Sequence, residues 1–102
     1  MSTTNPSPNA LTAPFVSNSS VLVTGSNLTR AGLYVFNPSA TITLWVSPLG
    51  TPATVNGAFS VTIQPLQGVM FGPPGMPSWT NGMNAIASSA GNNVIAILEY
   101  LP

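Results

Sequence analysis

Turn signals spaced about 8 to 12 residues apart divide the chain from Ser20 onward, a spacing that belongs to short antiparallel strands rather than helices. "SVLVTG" puts Val21 and Val23 on one face of an extended segment. "GLYVF", Gly32 to Phe36, is apolar on both faces, as a central or doubly covered strand would be. "NPSA" follows as a turn, because Asn-Pro initiates one and the residue before proline avoids the α region. "TITLWV" alternates, with Ile42, Leu44 and Val46 on one side and Thr41, Thr43 and Trp45 on the other. "TVNGAF" carries Asn56-Gly57, a two-residue hairpin signal, since a type I′ turn needs positive φ at both centres. "FSVTI" alternates again, with Phe59, Val61 and Ile63 expected inward.

Two stretches depart from this rhythm. Residues 64 to 83, "QPLQGVMFGPPGMPSWTNGM", are broken by Pro and Gly yet carry Leu66, Val69, Met70, Phe71, Met76 and Trp79. An apolar loop either closes an open sheet end or is presented to a partner. Residues 1 to 19 are rich in Pro, Ser, Thr and Asn, with Pro6, Pro8 and Pro14 holding the backbone extended. They read as an N-terminal arm ahead of a domain at 20–102. The arm is either a free tail or a strap laid on a neighbouring subunit and anchored by Phe15 and Val16.

At the C-terminal end, "SAGNN" is a turn between Ala85–Ser88 and Val94–Leu101. Helix propensity allows a short helix at "AIASSA", but the turn chemistry and the Val/Ile-rich second segment favour a hairpin. The last strand is apolar on both faces apart from Glu99, so it should lie centrally or be covered on both sides. The expectation is an all-β domain of about seven strands, a small antiparallel β-sandwich or barrel of jelly-roll type. With 102 residues and 44% hydrophobic content, the chain has enough apolar material for one core.

Composition decides what such a domain can do. Charged residues make up 2% of the chain, against about 25% in an ordinary soluble domain. The 12 Ser, 11 Thr and 10 Asn supply polarity instead, and neutral groups are cheaper to bury at an interface than Lys or Glu. A neutral surface lacks the self-repulsion that keeps free proteins apart, which suits a subunit packed against other protein. One Arg cannot drive counterion release, so nucleic acid is not an expected partner. No apolar run approaches the ~20 residues of a spanning helix, and a basic membrane-surface helix is missing. The first fifteen residues lack the basic and apolar regions of a secretory signal. Zero Cys removes disulfides and says nothing of redox compartment.

Catalysis is not expected either. The chain has no His, Asp, Cys or Lys, and one Glu makes neither a carboxylate pair nor a metal cage. "GPPG" lacks the spacing and the Lys of a phosphate loop. No catalytic residue, cofactor, metal or small-molecule substrate is therefore assigned. Asn18-Ser-Ser and Asn27-Leu-Thr match the glycosylation pattern, which chance accounts for in a chain of this composition.

The two charges, Arg30 before one strand and Glu99 within the last, suggest a structural ion pair that joins the last strand to the Gly32 strand. Such a pair would fix register more than add stability, since desolvation offsets most of the attraction. The alternative leaves each charge solvated or meeting another subunit.

The runs "TRAGLYVFNPSATITLWVSPLGTPATVNGAFSVTIQP" and "MNAIASSAGNNVIAILEYL" together resemble a loose class of small tailed-phage virion proteins. The shared pattern is Arg-x-Gly, an apolar strand, Asn-Pro-Ser, an alternating strand, a Gly-containing hairpin, an Ala-Ile-Ala segment and a closing strand ending in Glu. It spans residues 29 to 101. The chain departs from that class in its lower charge and in its longer, more apolar segment at 64–83. The resemblance implies a virion component such as a bacteriophage capsid decoration (cement) protein, with a small β-sandwich or jelly-roll fold and often a homotrimer.

The expected role is a cement subunit on the capsid exterior, made in the host cytoplasm and bound across joints between major capsid proteins. Its contacts are expected at Pro6, Pro8, Pro14, Phe15 and Val16 in the arm and at Met70, Phe71, Met76 and Trp79 in the loop. A tail, fibre or baseplate adaptor is the alternative. A second is a carbohydrate-binding module using Trp45, Trp79 and Tyr34 as stacking platforms.

Overall fold

A computed structural model describes residues 7–27, 30–48, 50–58, 60–71 and 81–101. These residues form ten strands: β1 (Ser7–Thr12), β2 (Phe15–Val16), β3 (Val21–Thr24), β4 (Gly32–Phe36), β5 (Leu44–Ser47), β6 (Val61–Ile63), β7 (Gly68–Phe71), β8 (Met83–Ala87), β9 (Asn93–Val94) and β10 (Ala96–Leu101). All pairings are antiparallel. One four-stranded sheet has the order β1-β10-β4-β7, and a second has the order β3-β8-β5-β6. A two-stranded ribbon, β2-β9, links them. The chain is all-β, as a small sandwich, with no helix among the described residues.

The core is one cluster drawn from both sheets. Leu33 and Val35 of β4, Ile97 of β10 and Phe71 of β7 come from the first sheet. Leu44 and Val46 of β5, Ile63 of β6 and Met83, Ala85 and Ala87 of β8 come from the second. Period-two alternation explains the selection, because one face of each sheet meets the other and the neighbouring positions face away. Burying any one of the larger aliphatic side chains is worth about 1.5–3 kcal/mol.

The strand count exceeds seven because segments without a clear alternating pattern also pair. β1 and β2 come from the Pro-rich N-terminal stretch, β7 from "GVMF" inside the supposed apolar loop, and β9 is only two residues long. Residues 7–12 pair with β10 and residues 15–16 with β9. From Ser7 onward the N-terminal stretch is thus part of the sandwich rather than an arm outside it.

Two turns, "NPSA" and the "SAGNN" expected to close a hairpin, are sheet-crossing corners. β4 lies in the first sheet and β5 in the second. A hairpin would put Leu33/Val35 and Leu44/Val46 on one sheet face, whereas they oppose each other across the core. Asn37 makes the corner. Its side chain is fully buried, and its Nδ2 donates to Ile42 O at 2.7 Å and to Ile63 O at 3.1 Å. Its Oδ1 accepts from Ser39 N at 3.1 Å. Likewise "SAGNN" carries the chain from β8 to β9 and on to β10 in the other sheet. Gly91 there sits at φ 102, a left-handed conformation that favours glycine.

Asn56-Gly57 lies in the long β5–β6 connection. Asn56 has φ 54, but Gly57 is not at positive φ. Gly57 N donates to Thr54 O at 3.2 Å, so the turn is centred on Val55 and Asn56 with positive φ at its third residue only, as in type II. Val61 packs against the core and Ile63 is inside it, while Phe59 lies outside the described residues.

Candidate interaction surface

An antiparallel sheet with one solvated face ordinarily turns polar residues outward. The first sheet does not. Leu11 pairs with Leu98, Leu98 with Tyr34, and Tyr34 with Met70, giving an apolar row across all four strands. Phe36 and Ala96 pair on one side of this row and Tyr100 lies on the other. Alternation puts all of them on the face opposite Leu33, Val35 and Ile97. Leu11 is 72% exposed, and the others are half-buried. Directly opposed side chains stand about 4.5–5.5 Å apart, so the row forms a continuous surface. Tyr34 also closes over Gly68, where any Cβ would collide with its ring.

The N-terminal strap adds to this surface along one side of the sandwich. β1 edges the first sheet and β3 edges the second, so residues 7–24 pass from one edge to the other. Leu11, Phe15, Val21 and Leu22 on this strap are exposed, Phe15 by 60%. Edge strands usually resist unwanted pairing through charge, Pro or bulges. Here charge is absent. The register shifts between Pro8 and Ala10 in β1, and again between Leu22 and Thr24 in β3. These irregularities hinder strand addition at β1 and β3.

The charges are withdrawn from the surface. Arg30 is 2% exposed. Its Nε donates to Glu99 Oε2 at 3.0 Å. Its Nη1 donates to Asn81 O at 3.1 Å, and its Nη2 donates to Gly25 O at 2.7 Å and Thr24 Oγ1 at 3.4 Å. Asn27 Nδ2 also donates to Glu99 Oε2, at 3.3 Å. Glu99 pairs with Leu33 and shares the inward face with Ile97. Inward register thus puts the carboxylate between the sheets, where the guanidinium ties β10 to the end of β3 and the approach to β8. The planar fork of Arg suits this many-acceptor role; a Lys ammonium would not reproduce it.

The structure disperses the other residues singled out in the sequence. Pro8 lies in β1 opposite Tyr100, and Pro14 is half-buried with its carbonyl accepting from Ile95 N at 3.2 Å. Phe15 and Met70 remain accessible at the surface. Val16 and Phe71 are corrected: Val16 is 0% exposed and Phe71 5%, both within the core, so neither can anchor a partner. Strand alternation turns each away from its more accessible neighbour, Phe15 or Met70. Pro6, Met76 and Trp79 lie outside the described residues.

Trp45 is 6% exposed, which removes it as a sugar-stacking platform. It lies on the outer face of the second sheet, where Thr51 O accepts from Asn84 Nδ2 at 2.9 Å and Ala53 N donates to Ser20 Oγ at 2.9 Å. The β5–β6 connection therefore crosses that face. A shallow cavity beside Pro38, Ser39, Asn92, Asn93 and Val94 has no aromatic wall. Asn93 Nδ2 there is committed to Val16 O at 3.0 Å and Ser89 O at 2.8 Å. Among the described residues, no cluster of His, Cys, Asp or Glu could hold a metal.

No protein-family model, curated protein or solved structure matches the chain.

Proposed function

We propose that this chain is a virion structural protein, a capsid decoration (cement) subunit that binds across joints between major capsid proteins on the shell exterior. The observation that carries this reading is the apolar outer face of the β1-β10-β4-β7 sheet, with Leu11, Leu98, Tyr34 and Met70 in one row. A face of that kind is stable in isolation only at the cost of wet apolar area, and it gains by being covered. The buried ion pair supports the same reading, since no described side-chain charge must be desolvated when the face is covered. Contacts spanning a joint would stabilise the shell by favouring the assembled state, and repetition over many sites would supply avidity. A cyclic homotrimer would cover part of the exposed strap between copies.

The test uses purified chain and undecorated heads. The unsubstituted protein is expected to co-sediment with heads at many copies per particle and to raise their resistance to heat. Leu98→Thr combined with Met70→Thr keeps β propensity while making the row polar, and should abolish co-sedimentation with the far-UV spectrum unchanged. Normal decoration by the double variant, or binding of only a few copies at one vertex, overturns the cement reading.

A further inference from the structure

The sequence contains two Asn-Gly pairs in matched contexts, Val55-Asn56-Gly57 and Thr80-Asn81-Gly82, each preceded by a β-branched residue. Both asparagines are exposed. Their peptide groups differ. Gly57 N is engaged as a donor to Thr54 O at 3.2 Å, whereas Gly82 N has no backbone acceptor among the described residues. The carbonyl of Asn81, which belongs to the same peptide unit as Gly82 N, accepts from Arg30 Nη1 at 3.1 Å. That guanidinium is almost wholly buried, where its charge acts through a low dielectric.

We propose that Asn81-Gly82 is a self-modifying site at which Arg30 promotes conversion of the asparagine to a β-linked aspartate. A cation on a peptide oxygen stabilises the negative charge that forms when the attached N–H is lost. Gly82 N is therefore the better nucleophile of the two glycine amides. It attacks Asn81 Cγ. The Gly82 N–Cγ bond forms, the Cγ–Nδ2 bond breaks, and Nδ2 leaves as ammonia with the displaced proton. Water then opens the five-membered ring. Attack at the former main-chain carbonyl places the developing oxyanion on the oxygen that Arg30 already holds. The carbonyl–Gly82 N bond breaks, the chain continues through Cγ, and a free α-carboxylate is left against the guanidinium. No oxidant or cofactor is required; water and ammonia balance the reaction. The product sets a new carboxylate beside the chain's one cationic side chain and shifts the net charge of the subunit by one unit.

Asn56 is the internal control. The full-length chain is incubated at mildly alkaline pH, folded and in denaturant, and amide-to-acid conversion at both sites is read by peptide mass spectrometry. In the folded protein Asn81 is expected to convert several-fold faster than Asn56 and to give predominantly the β-linked product. In denaturant the two rates should converge. Equal or slower conversion of Asn81 in the folded state overturns the proposal. So does a rate advantage that persists in denaturant, since it would then come from local sequence and not from Arg30.

Discussion

Glu99 and Arg30 show how much a single pair of side chains can carry when no other charges dilute it. The guanidinium has acceptors from the end of β3, from Asn81 and from β10, and Glu99 is the one acidic side chain in the sequence to set against it. Glu99→Ala should cost about 3–5 kcal/mol, because it leaves a buried cation without its counter-charge. Arg30→Met combined with Glu99→Leu should recover much of that loss, since two well-packed apolar groups replace a desolvated pair. Urea unfolding of Arg30→Met, Glu99→Leu and the variant carrying both closes this cycle. A double variant as unstable as the sum of the singles would show that Arg30 acts mainly through its backbone acceptors. Asn37 is the neutral counterpart: Asn37→Ala leaves the Ile42 and Ile63 carbonyls without this donor. It should cost about 1–3 kcal/mol in the same measurement.

At the scale of elements, β1 is the piece whose contribution is least visible in composition and clearest in register. It covers one whole side of β10, from Ser7 opposite Leu101 to Thr12 opposite Ile97. Deleting residues 1–12 should lower the melting temperature and turn β10 into an open edge. Sedimentation velocity should then show self-association beyond that of the intact chain; a truncated chain with unchanged association and stability would mean β1 is only draped there. Alternating runs were legible from sequence: β5 and β6 lie where "TITLWV" and "FSVTI" place strands. The doubly apolar "GLYVF" and "VIAILEYL" did become the central strands of one sheet, β4 and β10. What sequence could not supply was sheet membership. Asn37-Pro38 and "SAGNN" have turn chemistry that fits a hairpin or a corner equally well, and only the need to oppose two apolar faces selects the corner. The outer apolar row was half legible, since two-faced strands announced that something must cover them, but the contributions of Leu11 and Met70 depend on pairings far apart in the chain.

For the molecule as a whole, the removal of charge from the surface predicts its solution behaviour. With the only two ionised side chains joined and largely buried, screening has little to act on. The free energy of unfolding in urea should change by less than about 0.5 kcal/mol between low and high NaCl. A strong dependence would point to ionic contacts elsewhere, through the termini or between copies. Solubility should also be limited by the apolar row rather than by pH, because there is almost no net charge to titrate away.

The inward placement of Glu99 has a consequence for how the strands find one another. β10 offers Leu98 and Tyr100 on one side and Ile97 on the other, so greasiness alone hardly tells the folding chain which side to bury. Slipping by one position would flip the strand at small hydrophobic cost. It would also carry the lone carboxylate to the outside and strand the guanidinium within. A single anionic mark thus breaks a near-tie between two otherwise comparable pairings, and a chain that has shed nearly every other ion keeps the one that tells its last strand which way to face.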